Sequence, residues 1–153
     1  MHSRIFQVSK EPITELIEEY RYEEYFVGNR ADYVVKSEDR IDDLKWLAQA
    51  TKGLEVDIDN MTIKLVSKAE YFERKFEEFQ QLISDFSIIT LNEFSTTKND
   101  LKFYSLKSAY EDEHEFYIDD NDEYMGVVPI DEWVRNTQEG EVFHIGNTFD
   151  YHF

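Results

Sequence analysis

Hydrophobic positions recur along this chain with two periods. From Leu54 to Leu65 they alternate, and from Ala69 to Phe86 they return every three or four residues. The first rhythm belongs to a strand with one buried face, the second to a helix. The alternating stretch predicts a hairpin centred on Asp59-Asn60, two residues that tolerate left-handed backbone angles. Folding there opposes Ile58 to Met61, Val56 to Ile63 and Leu54 to Leu65 on an apolar face. The other face opposes Asp57 to Thr62 and Glu55 to Lys64, so turn, register and polarity agree.

The helix that follows opens on Ser67 and Glu70, the spacing of a capping box. Its stripe is Ala69, Phe72, Phe76, Phe79, Ile83 and Phe86. We expect a core helix packed on the hairpin, with a coiled-coil or partner-helix seam as the competing reading. Upstream, Arg4 to Val8 reads as a short strand. Pro12 suits the first turn of a helix carrying Ile13, Leu16, Ile17 and Tyr20. Tyr33-Val34-Val35 reads as a strand. Ser37 is placed to cap a helix with Ile41, Leu44, Leu47 and Ala48 on one face, ended by Gly53.

Beyond Ile88 the pattern is ambiguous. Residues 96–100 form a turn cluster, and Leu101 to Tyr110 fits either a helix or a strand. Glu115 to Ile118 and Glu123 to Val128 read as strands around an acidic hairpin tip, Asp119 to Asp122. Val142 to Ile145 and Thr148 to Phe153 read as two terminal strands. The mixed order predicts a single α+β domain over residues 1–153, a mostly antiparallel sheet packed by two or three helices.

Composition supports a folded chain. Of 153 residues, 41% are apolar and 16% aromatic, enough for a core without staples. There is no Cys, which excludes disulfides, thiolate zinc sites and a Cys nucleophile. No apolar run approaches the roughly 20 residues of a membrane span, and the first residues lack a secretory pattern, so a cytoplasmic protein is expected.

Charge changes the picture most. The net charge is -18, and residues 108–153 hold 13 acids against the single base Arg135. That balance disfavours direct binding to nucleic acid or anionic membrane. It favours a basic protein partner. The expected binding residues are Glu111, Asp112, Glu113, Glu115, Asp119, Asp120, Asp122 and Glu123, with Tyr117 and Tyr124 as aromatic anchors.

Sites of chemistry are weakly marked. Phosphate-binding glycine loops, the zinc-protease helix and the serine nucleophile elbow are missing. The acidic run from Asp119 fails the calcium-loop pattern, because position six is Tyr124 and position twelve Ile130. Asp57 or Asp59 with Glu73-Arg74-Lys75 resembles a nuclease core, yet on a helix Glu73 and Lys75 point about 200° apart. His144 and His152, on neighbouring strands and joined by Asp150, would make a metal site. None of these outweighs ordinary structural roles, so no catalytic residue, metal or cofactor is expected. The sequence reading is a non-enzymatic acidic binding protein, an inhibitor, immunity-type protein or DNA mimic occluding a basic site. It would be a monomer or a homodimer. A metal-dependent hydrolase using clustered carboxylates and a domain of incidental acidity are the alternatives.

Overall fold

The computed structural model describes residues 1–16, 27–28, 30–96, 100–111, 115–122 and 126–153. Among them run seven strands and five helices. They are β1 (His2–Ser9), β2 (Tyr33–Lys36), α1 (Arg40–Ala50), β3 (Leu54–Asp57), β4 (Thr62–Leu65), α2 (Lys68–Ser87), α3 (Leu91–Thr96), α4 (Asp100–Tyr110), β5 (Tyr117–Asp120), β6 (Val127–Pro129), α5 (Ile130–Asn136) and β7 (Val142–His152). The class is α+β, a mostly antiparallel sheet packed with helices. The chain forms two compact units, Met1–Tyr71 with His114–Phe153, and Phe72–Glu113.

The first unit holds the sheet. Its order is β3-β4-β7-β1-β5-β6, and β2 pairs with the far half of β7. Strand β7 pairs with β1 along one edge. Along the other it meets β4 through Val142 to His144 and β2 through Phe149 to His152. Among the seven strands β1 and β5 form the parallel pair, and the other strand pairings are antiparallel. One core cluster joins Ile5, Val34, Tyr117, Phe149 and Tyr151.

The hairpin has the expected register, with Leu54, Glu55, Val56 and Asp57 facing Leu65, Lys64, Ile63 and Thr62. Its turn differs. The strands stop at Asp57 and Thr62, and the left-handed residue is Met61 at φ 52° rather than Asp59 or Asn60. Asp57 closes the loop by accepting from both Asn60 N at 3.0 Å and Asn60 Nδ2 at 2.7 Å. A side chain that satisfies the loop's own backbone removes the need for two left-handed residues.

Helix α1 starts later than expected. Asp39, not Ser37, is the cap, its carboxylate accepting from Asp42 N at 3.0 Å. Leu44 and Leu47 face the core, whereas Ile41 and Ala48 are exposed and Asp43 takes the third buried position. Ser67 does cap α2, accepting from Glu70 N at 3.2 Å. Residues 12–16 are irregular, and the rest of the helix expected after Pro12 lies outside the described residues.

Two expected terminal strands are one. Strand β7 runs unbroken through Gly146 and Asn147, where its pairing with β1 slips around Gln7. Gln7 Oε1 accepts from Asn147 N at 3.1 Å. A side chain at Gly146 would sit 2.4 Å from that oxygen. The irregularity is thus a β-bulge held by Gln7, with glycine where the glutamine lies over the backbone.

The second unit is helical. The ambiguous stretch after Ile88 forms α3 and α4. Phe79 of α2 meets Tyr110 near the end of α4, with ring centroids 5.9 Å apart. Near the other end of α4, Lys102 lines a shallow cleft with Leu82, Asp85, Phe86 and Ile88 of the α2 end. Contacts in that order make α2 and α4 an antiparallel pair.

Candidate functional site

The acidic residues singled out by the sequence divide sharply in the fold. Tyr117, Asp119 and Asp120 are buried, at 3%, 0% and 4% exposure. They are therefore not part of an exposed acidic face. The reason is strand placement. Asp119 and Asp120 were expected at a hairpin tip, but β5 runs through them and pairs with β6 from Tyr117–Pro129 to Asp119–Val127. Parallel pairing with β1 puts β5 inside the sheet, and burial of all four of its residues shows that both of its faces are covered. Only Glu111, Glu115 and Asp122 of the expected set reach the described surface, the first two half-buried. Asp112, Glu113, Glu123 and Tyr124 lie outside the described residues.

The buried carboxylates do structural work. Asp120 Oδ2 accepts from the Trp133 indole at 3.2 Å, and its Oδ1 accepts from Asp122 N at 3.0 Å. Asp122 in turn accepts from Lys10 N at 2.6 Å, tying the end of β5 to the end of β1. The Lys10 ammonium lies 3.2 Å from Glu141, and that hydrogen bond holds its pKa above the ordinary lysine value, with Asp120 and Asp122 adding to it. Negative charge at this end of the sheet is partly answered from within the chain.

Two further acids escaped sequence reasoning. Asp43 is 4% exposed and joins α1 to the sheet, accepting from Thr148 Oγ1 at 2.5 Å and Arg4 Nε at 2.5 Å. Asp131 is 1% exposed and accepts from Tyr71 OH at 2.8 Å. Burial, then the charge of Asp131 and of Glu115, push the Tyr71 phenol well above its ordinary pKa. The available signal for Asp43 was position: it shares a helical face with Leu47, four residues on.

The histidines also pair differently. His144 and His152 lie at opposite ends of one strand, β7, because the two terminal strands are continuous. His152 instead faces His2, and Asp150 binds His2. Among the described residues no group of three or more His, Asp or Glu is disposed to hold a metal ion. Asp57 serves its turn, and Glu73 and Lys75 lie within α2, so the nuclease-like spacing falls on elements with other roles.

The helical unit carries the surface that stands out. The Phe stripe was expected in the core, yet Phe76 is 61% exposed and Ile83 also faces solvent. Of α2 only Tyr71 is buried, and Phe72, Phe79 and Phe86 are half-buried. The short helices add Leu91 at 83%, Phe94 at 76% and Phe103. Periodicity identified the helix and its apolar stripe. It could not say that α4 would cover only part of the stripe.

No protein-family model, curated protein or solved structure matches the chain. Chemistry and geometry alone carry the functional argument. No helix among the described residues is long and apolar enough to cross a membrane.

Proposed function

We propose that this protein is a non-enzymatic acidic binding protein whose helical unit docks a basic, amphipathic partner protein. The exposure of Phe76, Ile88, Leu91, Phe94 and Phe103 within Phe72–Glu113 carries the reading. Folded domains do not usually leave so many large apolar side chains in water on so short a segment, and surfaces that do are commonly interaction sites. Aromatic side chains desolvate well and anchor interfaces.

Charge selects the partner. Phe72–Glu113 holds 9 acids and 5 bases, and the rest of the chain 25 and 11. Nucleic acid and anionic membrane are repelled by such a field, as is a second copy bringing another -18. A cationic protein is drawn in, and its apolar side chains then meet the phenylalanines. An inhibitor that occludes the basic site of another protein is the concrete form of this reading. The DNA-mimic form is less well supported, because burial withdraws Asp119 and Asp120 from any carboxylate array.

The test uses two labelled helical peptides with the same leucine face, one with lysines opposite and one with glutamates. Fluorescence anisotropy should report binding of the lysine peptide alone, weakened by salt and by Phe76→Ser with Phe94→Ser. Equal binding of both peptides, binding of neither, or a stable dimer in sedimentation would overturn the proposal.

A further inference from the structure

We propose that His2 and His152 form a two-histidine site for a divalent first-row transition ion of the zinc and copper class. This goes beyond the docking reading and uses different residues. The two histidines are directly opposed in the β1–β7 ladder. Beside them Met1 and Phe153 exchange both backbone hydrogen bonds, Met1 N to Phe153 O at 2.6 Å and Phe153 N to Met1 O at 2.9 Å. Antiparallel partners alternate between hydrogen-bonded and non-hydrogen-bonded pairs, so His2 and His152 are the latter, the kind with side chains closest together. Their ring centroids are 4.9 Å apart.

Each ring is oriented from behind by a carboxylate. Asp150 lies 3.0 Å from Nδ1 of His2, and Asp32 lies 3.0 Å from Nδ1 of His152. A carboxylate at Nδ1 keeps the ring proton there and leaves the lone pair on Nε2. The Met1 amino group, a donor, stands 3.2 Å from Nε2 of His152, which calls for that same tautomer. An ion bound there takes the place of this donor on the His152 lone pair. Tyr33 stacks on His152 with centroids 5.5 Å apart and planes within 5°, and it meets the edge of His2 at 6.2 Å. The stacking restrains both rings.

Imidazole pairs backed by carboxylates are the usual environment of metal-bound histidine. Imidazole nitrogen suits zinc, copper and nickel rather than calcium or magnesium. Asp32 and Asp150 are engaged at the Nδ1 atoms, so the protein supplies two ligands and water fills the remaining positions. His2 and His152 side chains are 53% and 35% exposed, which leaves a path for a hydrated ion.

The experiment titrates untagged protein with Zn²⁺ by calorimetry while proton–nitrogen NMR follows the imidazoles. One ion per chain should bind in the micromolar range, with shifts at Nε2 of His2 and His152 and none at His144. His2→Asn and His152→Asn should each abolish binding, and His144→Asn should leave it unchanged. Asp32→Asn should retain the stoichiometry and weaken affinity about 10- to 100-fold. Protons compete for the same nitrogens, so acid should weaken binding. Binding only at millimolar Zn²⁺, equal binding by either histidine variant with native circular dichroism, an unaffected Asp32→Asn protein, or shifts centred on His144 would overturn the site.

Discussion

The phenol of Tyr71 donates a 2.8 Å hydrogen bond to the Asp131 carboxylate, and both side chains are buried. It joins the first turn of α2 to α5. Tyr71→Phe removes the donor and keeps the ring. The expected loss is about 1–3 kcal/mol, because a buried carboxylate gives up a partner. Urea denaturation at neutral pH measures it.

The same contact has a signature in base. Tyr71 has a raised pKa, chiefly through burial, so below the ordinary tyrosine value of 10.0 both folded and unfolded chains keep the proton. Above that value the unfolded chain releases it and the folded chain does not. The unfolded state then binds fewer protons, and stability falls as pH rises. Tyr71→Phe should show a shallower fall above pH 10.0 than the parent. Equal slopes would show that Tyr71 ionises freely.

Asp120 separates a structural role from a surface one. Asp120→Ala takes acceptors from the Trp133 indole and the Asp122 amide, and we expect a loss of about 1–3 kcal/mol with altered Trp133 emission. Glu132→Ala, on the exposed side of α5, removes the same charge and should change stability by about 0.5 kcal/mol or less. Relief of charge repulsion would instead make both variants more stable, by thermal melting.

Arg4 bridges two acids of unequal burial, the buried Asp43 and the partly exposed Asp150. Arg4→Met leaves the Asp43 charge without its cation in the core. Losses of about 3–5 kcal/mol accompany such removal. Asp150→Asn should cost much less, and a double-mutant cycle in denaturant should place most of the coupling on Arg4 with Asp43.

Gly53 and Gly140 share a left-handed backbone, at φ +73° and +91°, but differ in surroundings. A Cβ at Gly53 would lie 2.2 Å from the Ser67 carbonyl oxygen, whereas at Gly140 it would meet open space. Gly140→Ala should cost about 1–2 kcal/mol from conformation alone. Gly53→Ala should cost more, since backbone must move. Similar melting temperatures for the two variants would contradict the close approach.

The sequence was most legible where one rule decides one element. Alternation and turn position fixed the pairing of Leu54 with Leu65 and Val56 with Ile63, because a one-residue slip would turn the apolar face outward. Legibility failed where tertiary context decides. Alternation along Phe116-Tyr117-Ile118 assumes a sheet with one wet face, whereas every residue of β5 is buried. Asp119 and Asp120 look like surface acids by composition, and only the extent of β5 puts them inside. Likewise the spacing of Phe72, Phe76 and Phe79 specifies a stripe and is silent on what lies against it. The His2–His152 pairing joins opposite ends of the sequence, which no local pattern could disclose.

Strand β7 is translated after every strand it pairs with: β1, β2 and β4 all wait on residues 142–152. While the ribosome is still adding this stretch, those three edges have no partner to complete the sheet. Pairing of β1 with β7 spans nearly the whole sequence, and such distant contacts close slowly. Completion of the sheet therefore waits on β7, and a nascent chain halted before Val142 would present open strand edges to whatever surrounds it.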